Sequence, residues 1–314
     1  MLILDAAQIA SLVPMPRMIE AIRRAFVSSI TAPPRQVLPV PGGDGRQLLI
    51  MPAFAPGAAS AVKLSMVFPD NSPEGLPTIQ GVVVVFSDRG APLALLDGGA
   101  VTRMRTAAAS ACASSYLSRE DSTHLLLVGS GALAPYMAQA HCVVRPIRRV
   151  SIWGRRAERV AAAAEVTARL VGCNVEVVAA SELELAVGRA DIVCCATSSR
   201  TPVVAGGWLR PGSFVDLVGN FSATCREVDD DVVLRSRIFV DTLEGAMTEA
   251  GDILDPLSRG VIAREAIVGE LSDLVGARIQ GRGNPEEITL FKSVGAALED
   301  LAAAQVIVTA ATLC

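Results

Sequence analysis

The rhythm of apolar and polar positions changes partway along the chain. Over residues 16–30, Met18, Ile19, Ile22, Phe26 and Ile30 recur at helical spacing, with Arg23 and Arg24 off that face, which predicts an amphipathic helix. A stretch dense in turn residues follows, from Ala32-Pro33-Pro34-Arg35 to Pro41-Gly42-Gly43. Four short runs, 47–51, 61–67, 81–87 and 93–96, read as strands, with Asp88-Arg89-Gly90 as a hairpin turn between the last two. This half is expected to be strand-rich and antiparallel. Residues 102–117 read as a helix of very small side chains, Thr106-Ala107-Ala108-Ala109-Ser110-Ala111, able to approach a backbone or a ligand closely.

From Ser122 onward strand and helix alternate. Strands are predicted at 125–128, 150–153, 175–178, 192–196, 214–217 and 238–240, with helices between most of them, including 157–170 and 181–187. Such alternation predicts an α/β fold with a doubly wound parallel sheet. The tail, 288–312, reads as one long helical stretch with Gly295 inside it. Arg119-Glu120-Asp121 marks the change from one pattern to the other, and periodicity does not show where the last helix packs.

The composition removes several alternatives. A length of 314 residues suits one large or two medium domains, and a net charge of −4 gives no footprint for a nucleic-acid partner. The longest charge-free run, 122–144, holds Gly129, Gly131, Pro135, two His and a Gln, so it divides into a strand and a helix and predicts no membrane span. Met1-Leu2-Ile3-Leu4-Asp5 lacks a basic segment followed by an apolar stretch, so no signal peptide is expected. Cys112, Cys142, Cys173, Cys194, Cys195, Cys225 and Cys314 include no Cys-x-x-Cys pair, and His124 and His141 are the only histidines. The expectation is no metal site, a reducing cytoplasmic setting, and cysteines that serve as small buried apolar residues.

One segment carries chemistry. The apolar run Leu125-Leu126-Leu127-Val128 leads into Gly129-Ser130-Gly131-Ala132-Leu133-Ala134 and then a helix, the G-x-G-x-x-A form of a dinucleotide turn. Gly129 permits the tight turn, Gly131 lets a pyrophosphate approach the backbone, and Ala134 keeps helix and strand close. The unpaired N–H groups of the helix start, across Ser130, Ala132 and Leu133, would meet the phosphates. The next strand ends in Trp153-Gly154-Arg155-Arg156, without the acidic residue that would accept from a ribose 2′-OH. Arg155 and Arg156 would instead pair with a 2′-phosphate, so NADP(H) is favoured and NAD(H) is possible. Thr197 and Ser198, after Cys194-Cys195-Ala196, are expected cofactor contacts, as is Thr106. The adjacent cysteines sit in an apolar strand and read as buried rather than redox-active.

Four stretches together resemble the ornithine cyclodeaminase/mu-crystallin family: Gly75-Leu76-Pro77 with Asp97-Gly98 and Arg105-Thr106-Ala107-Ala108; the dinucleotide turn; Trp208-Leu209-Arg210-Pro211-Gly212 with Val218-Gly219-Asn220 and Arg226-Glu227-Val228-Asp229; and Glu287-Ile288-Thr289-Leu290-Phe291-Lys292-Ser293-Val294-Gly295 with Ala297-Leu298-Glu299-Asp300. The resemblance implies a homodimer with a substrate and dimerisation domain over 1–118, a C-terminal helix, 296–314, returning to it, and a Rossmann domain over 119–295. It implies an NAD(P)-dependent enzyme acting at the α-carbon of a small amino or imino acid. Arg35, Lys63 and Arg105 match the three basic positions that grip the substrate carboxylate. From the residues alone, Lys63 also reads as the exposed face of an edge strand and Arg105 as a surface arginine.

The resemblance has one departure. Ornithine cyclodeaminases place an Asp shortly after the Gly of the strand that here ends in Val218-Gly219, and this chain has Asn220, which cannot act as a base near neutral pH. The segment is more similar to the mu-crystallin branch. That implies ketimine reduction or amino-acid dehydrogenation, ahead of conversion of ornithine to proline and ammonia, or of NADPH and small-ligand binding without turnover. Burial of Lys63 beside two arginines would lower its pKa and suit it to donate a proton to the imine nitrogen.

Overall fold

The structure, a computed structural model, describes residues 1–313, apart from the side chains of 72–74; Cys314 lies outside the described residues. The elements in chain order are β1 (Leu2–Leu4), α1 (Ala6–Leu12), α2 (Met15–Ala25), β2 (Gln36–Pro39), β3 (Gln47–Phe54), β4 (Ser60–Val67), β5 (Ile79–Phe86), β6 (Pro92–Asp97), α3 (Gly98–Leu117), β7 (His124–Val128), α4 (Ala134–Val144), β8 (Arg149–Trp153), α5 (Ala157–Leu170), β9 (Asn174–Val177), α6 (Leu183–Arg189), β10 (Ile192–Cys195), β11 (Phe214–Leu217), α7 (Asp230–Arg235), β12 (Ser236–Val240), α8 (Leu243–Glu249), α9 (Gly251–Ser258), β13 (Ile267–Glu270), α10 (Leu271–Val275), β14 (Ile288–Lys292) and α11 (Ala297–Leu313). They form two compact units, Met1–Arg105 with Ala296–Cys314, and Thr106–Gly295.

The first unit is built on a six-stranded sheet in the order β1-β6-β5-β4-β3-β2. Its four predicted strands are present and antiparallel to one another, with the hairpin turn closed by Gly90 N–H donating to Ser87 O. Only β1 pairs in parallel, with β6. One face of β3, β4 and β5 is buried at Leu49, Met51, Ala53, Ala61, Val83 and Val85, and α11 packs across these strands and against α2. The first predicted helix is shorter than its apolar pattern: α2 ends at Ala25, where the Ser28 hydroxyl donates to Ala25 O at 2.8 Å. Thr31 then pairs with Phe54 across two backbone hydrogen bonds, which draws the chain into the sheet.

The second unit is an eight-stranded, fully parallel sheet in the order β13-β12-β14-β11-β10-β7-β8-β9. The chain runs outward from β7 through β8 to β9, then returns to the other side of β7 at β10. In such sheets ligands bind outside the strands' carboxyl ends at that reversal. The tail departs from expectation. Residues 288–292 form strand β14, inserted between β11 and β12, and only Ala297–Leu313 is helical. Ile288-Thr289-Leu290-Phe291-Lys292 is buried throughout, as a central parallel strand must be on both faces, so its apolar run has no alternation to distinguish it from a helix. Gly295, at φ +82°, separates strand from helix.

Candidate active site

In the first unit, the structure brings Lys63 and Arg105 onto one carboxylate. Lys63 lies on β4, a central strand, and points to the buried face with Ala61 and Ser65. Neither the edge-strand reading of Lys63 nor the surface reading of Arg105 holds: they are 3% and 5% exposed. Lys63 Nζ stands 2.9 and 2.8 Å from the two oxygens of Asp300, and Arg105 donates from Nε to Asp300 at 3.1 Å and from a terminal nitrogen to Glu299 at 2.7 Å. Glu299 and Asp300 open α11 and are wholly buried. Arg35, half-buried after Pro34, adds its field to this cluster. Burial drives the Lys63 ammonium down to about 8, against the pull of Asp300 and assisted by the positive charges of Arg105 and Arg35. A buried lysine held this way keeps a proton at neutral pH and can give it up.

In the second unit, Gly129 follows β7 at φ +127°, a conformation that L side chains rarely adopt, and its N–H donates to Trp153 O at 2.9 Å. A Cβ there would lie 2.5 Å from Ala196 O, at the end of the neighbouring β10. A Cβ at Gly131 would meet open space. Ser130, Gly131, Ala132 and Leu133 are half-buried or exposed, Ala134 is buried, and no side chain caps the start of α4. This is a cradle of backbone amides open to an anion, and it fits a dinucleotide pyrophosphate. Arg155 and Arg156 lie exposed beyond β8. Thr106 is buried in α3, and Ser198 is exposed after β10.

The strand ends next to this cradle rest on a buried polar network that the sequence reading passed over. Glu227 accepts from the Thr197 N–H at 2.7 Å, the Thr197 hydroxyl at 2.9 Å and the Gly219 N–H at 2.9 Å. Asp252 accepts from the Glu227 N–H at 2.7 Å, and Lys292 Nζ donates to Asp252 and to Asn220 O, both at 2.9 Å. The Asn220 amide is buried and donates to Ser199 O at 2.9 Å. Thr197 therefore turns its hydroxyl inward, and Asn220 is engaged in holding the loop. Both Glu227 and Lys292 stand within the motifs noted above; for Lys292 the signal available was a charged residue embedded in a strand-like apolar run, whereas Glu227 sits among other charged residues and had no such signal.

Elsewhere, Cys194, Asp216 and His141 come together in the core. There the Asp216 carboxylate takes Ser110 at 3.0 Å and His141 Nε2 at 3.1 Å, a hydrogen-bonded cluster that accounts for the carboxylate's burial. The Cys194 and Cys195 thiols are pushed well above their ordinary range by burial, as inert core cysteines are. Cys112 is likewise buried, but Cys142, Cys173 and Cys225 are only half-buried, so the reading of the cysteines as core residues holds for part of the set. Among the described residues no helix is long and apolar enough to cross a membrane.

Known proteins share this sequence pattern and fold. The family model described as the ornithine cyclodeaminase/mu-crystallin family matches residues 1–312. A Delta(1)-pyrroline-2-carboxylate reductase of Paracoccus denitrificans is 39% identical over 286 residues, covering 90% of this chain and 88% of its own. The structure of the Thermococcus litoralis Delta(1)-pyrroline-2-carboxylate reductase, in complex with NADH and L-proline, is similar at a TM-score of 0.96 and 35% identity, covering 100% of this chain and 98% of that one. An archaeal alanine dehydrogenase dimer with bound NAD follows at 0.90 and 30%, covering 99% and 96%. The chain belongs to the ornithine cyclodeaminase/mu-crystallin family and is one of its NAD(P)-dependent oxidoreductases.

Proposed function

We propose that this protein reduces the C=N bond of a small cyclic α-imino acid, of the Δ1-pyrroline-2-carboxylate class, to the corresponding amino acid. The observation that carries this reading is the buried Lys63, held by Asp300 and lowered to about 8 among the charges of Arg105 and Arg35. Arg35 and Arg105 supply guanidinium forks suited to a carboxylate. Lys63 supplies a proton to the imine nitrogen, and Asp300 keeps its ammonium aimed and charged. A nicotinamide bound in the second unit would supply the hydride. Residues 129–133 would hold its pyrophosphate on backbone amides.

The finer cofactor preference is NADP(H), because Arg155 and Arg156 replace the acidic residue that would select a ribose hydroxyl. Similarity to an enzyme that is itself a dimer supports a homodimer as the working assembly. Ornithine cyclodeamination is disfavoured by Asn220, whose amide is buried on Ser199 O and offers no base. The test follows the absorbance of NADPH and of NADH with Δ1-pyrroline-2-carboxylate, with α-keto acids plus amine, and with ornithine. Oxidation of cofactor by the cyclic imine is expected; proline and ammonia from ornithine, with no net change in cofactor, would replace this reading with cyclodeamination.

A further inference from the structure

Three loops meet at the carboxyl ends of β7, β10 and β11, and one side chain ties two of them together. Glu227 is wholly buried, with Oε1 taking both the N–H and the hydroxyl of Thr197, after β10, and Oε2 taking the N–H of Gly219, after β11. The two loops are pressed tightly: a Cβ at Gly219 would overlap the Thr197 backbone and the Glu227 carboxylate. On the opposite side, a Cβ at Gly129 would meet Ala196 O at 2.5 Å and Thr197 Cγ2 at 3.5 Å. Ala196-Thr197 is thus wedged between the Gly129 turn and the Gly219 turn. Glu227 is itself fixed through its N–H on Asp252, which in turn receives Lys292 from β14.

We infer that Glu227 is a positioning residue for the nicotinamide cofactor: by fastening Thr197 to Gly219 it sets the backbone that borders the dinucleotide turn. The inference rests on the reading of this unit as the cofactor site. Glu227 is not assigned to substrate or cofactor; it acts through the Thr197 and Gly219 loops. A buried carboxylate is expensive unless its oxygens are paired, and here three donors are committed to it.

The anionic form accepts all three donors. A proton on either oxygen would face an N–H or O–H already pointing at it. The charged or titratable groups around Glu227 are Lys292 on β14, Asp252 on α9, and Cys194 and Cys195 on β10. Burial raises the Glu227 carboxyl to about 7, with Lys292 opposing and Asp252 adding to the rise. The fastening is complete above that pH and is lost as pH falls through it, so cofactor affinity is expected to strengthen as pH rises across about 7.

The experiment titrates NADH and NADPH against the full-length protein and its E227Q, T197V and T197S variants, at about pH 6 and about pH 8, with folding checked by near-ultraviolet circular dichroism. Gln keeps an oxygen for Thr197 but turns an amide N–H toward Gly219. Loss of a hydrogen bond to a charged group predicts a dissociation constant raised roughly tenfold or more in E227Q at the higher pH. The pH step of the wild type should vanish in E227Q. T197V should weaken binding and T197S should retain it. A folded E227Q with wild-type affinity and an unchanged pH step would overturn the proposal. Should E227Q not fold, wild-type affinity in T197V would overturn it equally. Wild-type protein that binds neither cofactor would overturn the dinucleotide reading first, and this inference with it.

Discussion

Replacing Asp300 by Asn tests how the first unit tunes its lysine. Asp300 takes Lys63 at 2.8–2.9 Å and Arg105 at 3.1 Å, with all three side chains buried. Asn keeps the shape and one acceptor oxygen but removes the charge. A hydrogen bond between charged partners contributes ~1.5–3 kcal/mol, which at ~1.4 kcal/mol per unit is roughly one to two pKa units. Asp300 supports the protonated lysine against burial, so its loss moves Lys63 further below about 8, into a range of roughly 6–7. A proton donor must be protonated, so the wild-type rate of imine reduction should fall as pH rises through about 8. In Asp300→Asn that descending limb should sit roughly one to two units lower.

The same variant has a thermodynamic signature. Removing one partner of a buried ion pair costs ~3–5 kcal/mol while the remaining charge persists, and Lys63 escapes part of that by losing its proton. Because the folded Lys63 lies below its ordinary value of 10.5, the unfolded chain binds more protons between about 8 and 10.5, and this residue's contribution to stability rises with pH across that window. The window should open at lower pH in the variant, so urea melts should show a larger loss of stability in mild acid than in mild alkali. A folded variant whose rate profile keeps its descending limb at the wild-type pH would refute the Lys63–Asp300 coupling.

Lys63→Met should abolish turnover while leaving NADPH affinity intact, and turnover at the wild-type rate would remove Lys63 from the chemistry. Replacing both Arg155 and Arg156 by Ala should raise the KM for NADPH about tenfold and change that for NADH little, since only the former carries a 2′-phosphate for a guanidinium to grip; equal effects on both would refute the NADP(H) assignment. Gly129→Ala puts a Cβ at a φ of +127° and 2.5 Å from Ala196 O. Strain of ~1–3 kcal/mol at the cradle should weaken both cofactors about tenfold or more, as read by fluorescence titration.

Much of this architecture was legible because its signals are local. Leu125–Val128 running into Gly129-Ser130-Gly131 gave the strand, the turn and the open helix start together, and the structure places them at the reversal of the sheet. The elements missed at the N-terminus also had a local sign: Asp5 and Gln8 form a capping box for α1, with reciprocal bonds of 2.8 and 2.9 Å. β14 could not be separated from a helix, because a strand buried on both faces shows no alternation. The partners of the charged residues were not legible either. Lys63 and Asp300 are 237 positions apart, and Glu227 comes from the loop after β11, Asp252 from α9 and Lys292 from β14, so their pairing exists only once the sheets have formed.

In the proposed reaction a proton from Lys63 and a hydride from a nicotinamide cofactor reduce a cyclic imino acid. Its most direct test is a stoichiometric progress curve: purified protein, NADPH or NADH, and Δ1-pyrroline-2-carboxylate, with L-proline quantified against cofactor consumed. One proline formed per reduced cofactor oxidised, with loss of both in Lys63→Met, is the predicted result. Folded protein that binds cofactor yet leaves it unoxidised in the presence of the imine would contradict the account.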